Sequence, residues 1–359
     1  MQSLRITFLL PGSSTSPCGG FKVVYEYANR LSRKGHQVTV VHPAMALKGT
    51  PLKDWPRRVA SYVGHSIMGS YGPVRWFPIN PDVRLLWVWS LHQRYIPDAD
   101  VLVASAWQTA EWAGAYPENK GRPFYLIQDV EDWECPPDRL LATWKSSLKK
   151  ITIANWLKET AASLGEESAY IPNGLDFERF GIDNPIQNRD PNQIIMLYHL
   201  RNSKGIADGL EALTIVRRSV PDLRVTLFGT PSQPSRLPAW ARYHRSPPQA
   251  ELRRLYNEAS IFVAPSWTEG WGLTPCEAML SGAAVAATNN GGHREFAFHE
   301  QTALVSPPKE PESLARNILR LIRDSDLRIS LAERANQYIK RFTWDASVST
   351  FEELVSQTD

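Results

Sequence analysis

Long hydrophobic runs are absent from the sequence, which excludes a membrane-spanning helix of ordinary length. The longest apolar stretches, such as LRITFLL near the beginning, have a strand's length, whereas a spanning helix needs about 20 apolar residues. The same shortness argues against a signal peptide. The sequence therefore predicts a protein that is soluble or peripherally bound to a membrane.

The sequence also has few cysteines and a small net charge. The three cysteines, Cys18, Cys135 and Cys276, are odd in number and show no paired spacing, which argues against a disulfide framework and a structural zinc site. A net charge of +3 on 359 residues, without a lysine-rich run, gives no reason to expect a nucleic-acid partner. We therefore expect a cytoplasmic protein that does not bind nucleic acid.

The length points to about two domains, since one hydrophobic core rarely serves 359 residues. Short apolar, β-branched runs alternate with helical patterns in both halves, which is typical of α/β domains with doubly wound parallel sheets. Between the halves, Pro, Asn, Asp and Gly are frequent, and the apolar residues follow neither the helical nor the strand periodicity. We predict an N-terminal domain over residues 1–176, a linker over 177–192 and a C-terminal domain from residue 193.

One segment, residues 44–97, reads as irregular, basic and rich in aromatic residues. It carries seven Lys or Arg against two Asp. This excess predicts that Lys48 to Arg94 line an acceptor side and touch an anionic membrane surface, which would place the protein at the inner membrane face. An ordinary solvated insertion is the alternative.

Three loops follow strands in the second half, where ligands of doubly wound sheets bind. They combine cationic side chains, glycines and the start of a helix, features that suit a phosphate-bearing ligand. The loops carry Arg201 and Lys204, then Gly229 and Thr230, then the stretch SWTEGWGLTPCE at residues 266–277.

This last stretch holds two carboxylates, Glu269 and Glu277. Thr274, Pro275 and Glu277 match a capping box at a helix start, so Glu277 is either a helix cap or a ligand group. Glu269 lies between two tryptophans and fits no capping pattern. Its surroundings suggest contact with a sugar.

The stretch that contains Glu269 and Glu277 resembles the signature of a known family. The stretch EGWGLTPCE, preceded by FVAPS and followed by AMLSGAAVAATNNGGHREF, is similar to the signature of the retaining nucleotide-sugar glycosyltransferases of family four, the glycosyl transferases group 1. IPNGLDFERF and the glycine pair Gly19 and Gly20 also match. The resemblance implies the GT-B fold, two Rossmann-like domains, 1–176 and 193–342, that face a central cleft. It also implies a helix over 343–359 that packs back on the N-terminal domain.

The resemblance assigns roles on the donor side. Glu269 would hydrogen-bond the donor sugar, Glu277 would hold the ribose, and Lys204 would neutralise the leaving phosphate. Either Arg201 or His199 would supply a second cation, since His199 stands where relatives have arginine. The diphosphate would meet the backbone of Gly272, Leu273 and Thr274, with Gly229, Thr230, Gly19 and Gly20 completing the nucleotide site.

On the acceptor side, relatives often have a histidine where this chain has Ser105. Candidates for lining the site are Trp107, Gln108, Thr109 and Asp129. The segment IQDVEDWE also contains Glu131, Asp132 and Glu134, which we interpret as solvated charge or a helix cap rather than a base.

The resemblance implies no required cofactor or metal, and a nucleotide-diphosphate sugar of the UDP or GDP type as donor. The Asp pairs 98/100 and 324/326 read as turns and caps rather than metal ligands. The expected activity is hexosyl or deoxyhexosyl transfer to a glycan, lipid-linked or small-molecule acceptor. The alternatives are a GT-B epimerase or hydrolase and a catalytically silent carbohydrate-binding relative. An oxidoreductase is disfavoured, because no G-x-G-x-x-G follows a strand.

Overall fold

The computed structural model describes residues 3–73, 75–131, 135–234 and 237–357. The chain forms two compact units. Unit 1 comprises Met1–Asn173 and Asp345–Asp359, and unit 2 comprises Gly174–Trp344. Each unit contains one parallel sheet covered by helices, so the predicted α/β fold is confirmed. The domain boundaries at 176 and 192, and the cleft, stay predictions.

Unit 1 is built on a seven-stranded parallel sheet. Its strands lie in the order β3-β2-β1-β4-β5-β6-β7, so the chain order reverses between β1 and β4. The strands are β1 Arg5–Leu9, β2 Gln37–Met45, β3 Arg84–Ser90, β4 Val101–Ala104, β5 Arg122–Ile127, β6 Lys149–Thr152 and β7 Ser168–Tyr170. The helices of this unit are α1 Gly19–Arg33, α2 Trp55–Met68, α3 Trp107–Ala113, α4 Pro137–Trp144 and α5 Asn155–Ser163.

Unit 2 repeats this plan with six parallel strands in the order β10-β9-β8-β11-β12-β13. The strands are β8 Gln193–Leu197, β9 Arg224–Gly229, β10 Ala241–Arg245, β11 Ile261–Ala264, β12 Ala284–Thr288 and β13 Leu304–Ser306. The helices are α6 Ile206–Ser219, α7 Gln249–Glu258, α8 Leu273–Leu280, α9 Pro311–Arg323 and α10 Ser325–Ile339. The chain order reverses between β8 and β11, and ligands of such sheets bind beyond the carboxyl ends of these two strands.

The last helix, α11 at Trp344–Ser356, belongs almost entirely to unit 1. Its Phe351 ring packs on Phe8 and Tyr27, with centroids 6.1 and 5.1 Å away. Its buried Glu352 accepts hydrogen bonds from Lys34 and from His36. This helix therefore completes the core of unit 1.

The segment 44–97 is more regular than its sequence indicates. It contains the 14-residue helix α2 and the seven-residue strand β3. Trp87 and Trp89 of β3 pack against Tyr62 of α2, so the aromatic residues form a layer between helix and sheet. Within the described residues, no helix combines the length and the apolar character needed to cross a membrane.

Candidate functional site

Two predicted site residues meet where the strand order of unit 2 reverses. Lys204 follows β8 and Glu269 follows β11, so both lie beyond the carboxyl ends of neighbouring strands. The Lys204 ammonium donates to both carboxylate oxygens of Glu269, at 2.8 and 2.7 Å. The two side chains line a small cavity together with Ser266, Thr274 and His293. The structure thus brings a cation and a carboxylate to the expected edge of the sheet.

Gly205 lets the two loops approach each other. It adopts a φ of 60°, and a Cβ at this position would lie 2.0 Å from the Pro265 carbonyl oxygen. The adjacent backbones are joined by a hydrogen bond from Trp267 N–H to the Ser203 carbonyl, at 2.7 Å. No residue with a side chain could replace Gly205 without separating the loops that carry Lys204 and Glu269.

The Glu269 carboxylate is held in its ionised form. Burial raises its pKa, but the Lys204 charge and the hydrogen bonds from Lys204 and Ser266 outweigh burial, so the pKa lies below its ordinary value. The side chain is 14% exposed and that of Lys204 is 20% exposed. Both groups are therefore partly shielded from water, which strengthens their attraction.

The helix α8 begins two residues earlier than the capping pattern indicates, which makes the predicted capping box wrong. Its N-cap is Gly272, with a φ of 101°, so Thr274 is the second helical residue and Glu277 the fifth. A Cβ on Gly272 would lie 3.1 Å from the His293 ring. The first turn of α8 borders the cavity at Thr274 and Pro275, and the free amides at a helix start attract anions.

The Glu277 side chain contacts a residue of α7, whereas a capping residue would bond the backbone at the start of its own helix. Its side chain is buried, and it accepts a hydrogen bond from the Tyr256 hydroxyl of α7 at 3.3 Å. The Tyr256 pKa lies well above its ordinary value because of burial and the adjacent Glu277 charge. Glu277 does not line the cavity around Lys204, and its ribose role stays a prediction.

The loop after β12 contributes residues to which the sequence analysis assigned no role. Asn290 donates to the Ser266 carbonyl oxygen at 2.9 Å, and the Ser266 hydroxyl donates to Glu269 at 2.8 Å. Gly292 N–H donates to the Glu269 carbonyl at 3.0 Å. This loop therefore positions Glu269. Only the motif NNGGHREF after a buried strand could have pointed to it.

His293 in this loop is buried and neutral. Burial lowers its pKa, and Nδ1 lies 2.9 Å from the Thr288 carbonyl oxygen and 3.0 Å from the Asn290 amide nitrogen. Its Nε2 is buried and has no hydrogen-bond partner among the described residues. A buried imidazole nitrogen with no partner among the described residues thus lies in the lining of the cavity that Lys204 and Glu269 share.

The second cation is better supplied by Arg201 than by His199. Burial and the charges of Lys204 and Arg201 lower the pKa of His199. In addition, its Nδ1 accepts a hydrogen bond from the Arg201 amide at 2.9 Å, which a protonated Nδ1 could not do. His199 is therefore neutral near pH 7. Neither residue lines the cavity around Lys204.

Gly229 and Thr230 also lie outside that cavity. A Cβ on Gly229 would lie 2.1 Å from the Tyr198 carbonyl oxygen, so close strand packing alone explains this glycine. The Thr230 carbonyl accepts from Arg245 at 3.4 Å. The structure gives both residues a local role, and their place in a nucleotide site stays a prediction.

A second group of predicted residues lies in unit 1, where its strand order reverses. Gly19 and Gly20 begin α1, whose first turn contains no acidic residue. Gln128, which the sequence analysis did not single out, donates to the Gly20 carbonyl at 3.2 Å and the Ser105 carbonyl at 3.4 Å. Gln128 therefore joins the loops after β1 and β4.

The acceptor-side candidates differ in exposure. Trp107 and Thr109 are buried, and the Thr109 hydroxyl bonds the backbone of Ser105 and Ala106 at the start of α3. These two residues therefore act in packing and capping, whereas Gln108 and Asp129 are partly exposed. Asp132 and Glu134 lie outside the described residues.

Three of the four aspartates in the pairs 98/100 and 324/326 have structural partners. Asp98 accepts from Lys120 and Asp100 from Arg5, whereas Asp324 caps α10 by accepting from the Leu327 amide. In the described ranges, no three His, Cys, Asp or Glu side chains converge on a possible metal site.

Comparison with known proteins finds similarity to glycosyltransferases. Residues 182–338 match the family described as Glycosyl transferases group 1. A phosphatidyl-myo-inositol mannosyltransferase from Mycolicibacterium smegmatis is 23% identical over 95% of this chain and 90% of its own. A D-inositol 3-phosphate glycosyltransferase from Corynebacterium urealyticum is 27% identical over 52% of this chain and 50% of its own. The chain spans about half the length of the first curated relatives that it matches.

Solved structures match almost the whole chain. Anabaena HepE in complex with UDP-glucose has a TM-score of 0.74 at 16% identity and covers 98% of this chain and 99% of its own. Sucrose-phosphate synthase from Thermosynechococcus elongatus has a TM-score of 0.71 at 15% identity, with 98% of both chains covered. These similarities establish the GT-B fold, and residues 182–338, which lie within unit 2, match the group 1 glycosyltransferases.

Proposed function

We propose that the protein is a retaining, family four glycosyltransferase that moves a hexosyl or deoxyhexosyl group from a nucleotide-diphosphate sugar to a hydroxyl group. The observation that carries this proposal is the pairing of Lys204 with Glu269 beside the first turn of α8. A cation and free helix amides suit a diphosphate, and a carboxylate suits sugar hydroxyls.

The chemistry needs charge stabilisation at two places. Breaking the bond between sugar and phosphate puts negative charge on the diphosphate and positive charge on the sugar ring. Lys204 and the α8 amides stabilise the first, and Glu269 orients the sugar through its hydroxyls. These groups supply the compensation within the chain, so we propose that transfer needs no metal.

The donor and acceptor are part of the proposal. HepE was solved with UDP-glucose, which makes UDP-glucose the first donor to test, followed by GDP sugars. The mannosyltransferase relative bears the name of a lipid acceptor, phosphatidyl-myo-inositol, so a lipid-linked or glycan acceptor comes before a small molecule. We also propose a cytoplasmic protein in peripheral contact with the inner membrane face.

The experiment is a panel of nucleotide sugars incubated with the full chain, with and without acceptors, in the presence of a chelator. Transfer with the anomeric configuration of the donor, read by NMR, supports a retaining transferase. Inversion would remove the retaining part, and loss of activity in the chelator would remove metal independence. Conversion of the donor at a rate that no acceptor changes would favour an epimerase or hydrolase. The absence of any donor turnover would indicate a catalytically silent carbohydrate-binding relative.

A further inference from the structure

The cavity that Lys204 and Glu269 help to line is small, and it lies entirely within unit 2. Its volume of about 10 Å³ gives room for roughly one water-sized group. A large part of its lining is apolar and comes from the ends of β8 and β11 and the start of α6, namely Leu197, Ile206, Phe262, Val263, Ala264 and Pro265. A ligand can therefore place one small group in this cavity, but neither a sugar ring nor a whole phosphate.

The polar part of the lining offers hydrogen bonds to such a group. Its members are Lys204, Ser266, Glu269, Thr274 and His293. The Ser266 hydroxyl is already used, because it donates to Glu269 at 2.8 Å. His293 is only 1% exposed, and its Nε2 has no hydrogen-bond partner among the described residues. Because a buried polar atom without a partner costs free energy, this nitrogen indicates a group that arrives with a ligand.

The imidazole of His293 is held in one orientation by its other atoms. Nδ1 lies within 3.0 Å of both the Thr288 carbonyl oxygen and the Asn290 amide nitrogen. The His293 N–H donates to the Asn290 side chain at 3.0 Å, and the ring packs on Phe296 with centroids 5.6 Å apart. Cδ2 lies 3.1 Å from the position that a Cβ on Gly272 would take. These contacts keep Nε2 in the lining of the cavity.

The chemistry of this lining selects a hydroxyl group. A hydroxyl both donates and accepts, so it can pair with Nε2 of His293 in either tautomer and with the Glu269 carboxylate at the same time. An ionised phosphate oxygen only accepts, and it would meet Glu269 as a like charge. A methyl group would leave Nε2 buried and unpaired.

We propose that the cavity takes one hydroxyl group of the transferred sugar and that Nε2 of His293 hydrogen-bonds this hydroxyl. His293 is then a specificity-determining residue. The inference rests on the function proposed above and narrows its donor. The sugar must carry a free hydroxyl at one position, because a deoxy sugar lacks the group and an O-methyl or N-acetyl sugar exceeds the room.

Kinetics with modified donors test this cavity. The substrates are UDP-glucose and its four monodeoxy analogues, or the same series of whichever donor the nucleotide-sugar panel identifies. One analogue should have a kcat/KM about 10⁴-fold below that of the parent donor, because its reaction leaves buried polar groups unpaired. The donor with an O-methyl group at the same position should be refused too, since the cavity has room for about one water-sized group.

Two substitutions separate the two nitrogens of His293. His293→Asn can keep a contact in place of Nδ1 but lacks Nε2, so the ratio of kcat/KM between parent and deoxy donor should fall at least about tenfold. His293→Gln extends an amide towards the place of Nε2 and should retain more of this ratio. A ratio of two donors is independent of the fraction of folded enzyme.

Asn336→Ala is the control for general destabilisation. Asn336 is buried and donates to the Met279 and Leu280 carbonyls, and it does not line the cavity. The variant should lower the free energy of unfolding and leave the ratio between the two donors unchanged.

Two results would overturn the inference. Equal use of all four deoxy donors would mean that no sugar hydroxyl enters the cavity. A ratio that His293→Asn leaves unchanged would mean that the hydroxyl has another partner. Failure of the proposed function is distinguishable from both, because no nucleotide sugar would then be turned over, the parent donor included.

Discussion

Lys204 and Glu269 neutralise each other in the free chain, with the ammonium 2.8 and 2.7 Å from the two carboxylate oxygens. A donor diphosphate therefore has to compete with Glu269 for this cation. Once Lys204 turns to phosphate, the carboxylate becomes available to sugar hydroxyls. The pair thus couples the proposed phosphate contact to the proposed sugar contact.

Lys204→Ala should lower turnover by about 10²–10³-fold, because the developing diphosphate charge loses a preorganised donor. It should destabilise the fold by only about 1–3 kcal/mol, the cost of leaving Glu269 without its ammonium partner. Steady-state kinetics and urea unfolding measure the two effects. Lys309→Ala is the control, since Lys309 is an exposed cation 4.5 Å from the Trp267 ring centroid. Near-normal turnover of Lys204→Ala at saturating donor would exclude the phosphate role.

The stability of unit 2 should depend on the ionisation of Glu269. Its folded-state pKa is depressed, so its contribution is present above the ordinary value of 4.5 and is lost as the pH falls through the folded-state pKa. The free energies of unfolding of the native chain and of Glu269→Gln, measured with urea, should therefore differ at neutral pH, begin to converge below about pH 4.5 and coincide below the folded-state pKa. A difference that stays constant down to pH 3 would mean that the ionisation of Glu269 is not its cause.

Asn290→Ala should reduce kcat by about tenfold through looser positioning of Glu269, with little change in the affinity for UDP. Asn336→Ala is the matched control. Asn336 is also buried, but it donates to Met279 and Leu280 at the far end of α8. It should lose comparable stability and keep kcat. An equal loss of kcat in both variants would reduce the Asn290 effect to general destabilisation.

Glu277→Gln separates the ribose role from the hydrogen bond with Tyr256. A carboxylate can accept from both ribose hydroxyls, whereas an amide offers one acceptor oxygen. We therefore expect an affinity for UDP that is about ten- to a hundredfold lower, measured by calorimetric titration. Tyr256→Phe removes the same protein hydrogen bond and should leave the affinity unchanged. If both variants bind UDP as the native chain does, Glu277 serves only the core.

Much of the fold can be predicted from the apolar, β-branched strands. Parallel strands that are buried on both faces appear in the sequence as continuous apolar runs, which are easy to distinguish from the polar segments around them. β1, β8 and β11 lie where LRITFLL, QIIMLYHL and SIFVAP predict them. The helix α2 was missed because it contains Pro56 and Gly64, which are poor helix formers, and because its apolar stripe is exposed instead of facing the sheet. β10, with the sequence ARYHR, was missed because an edge strand carries polar side chains.

Local pattern reading also misplaced the start of α8. Thr274 and Glu277 have capping-box spacing, but Gly272 takes the N-cap with a φ of 101°, a conformation that residues with a side chain rarely adopt. The roles of Asn290 and His293 were equally hidden. Which polar side chains become buried beside Glu269 is decided by how two loops pack, and composition does not record that.

The return of α11 to unit 1 sets the order in which the two units are completed during synthesis. Unit 2 ends at Trp344 and can close its core before residues 345–357 emerge from the ribosome. Unit 1 lacks Phe351 and Glu352 while unit 2 is being synthesised. This takes roughly 10–30 s at a synthesis rate of ~5–20 residues per second. The unit that is translated first is therefore finished last, and its open apolar core needs protection from aggregation during that interval.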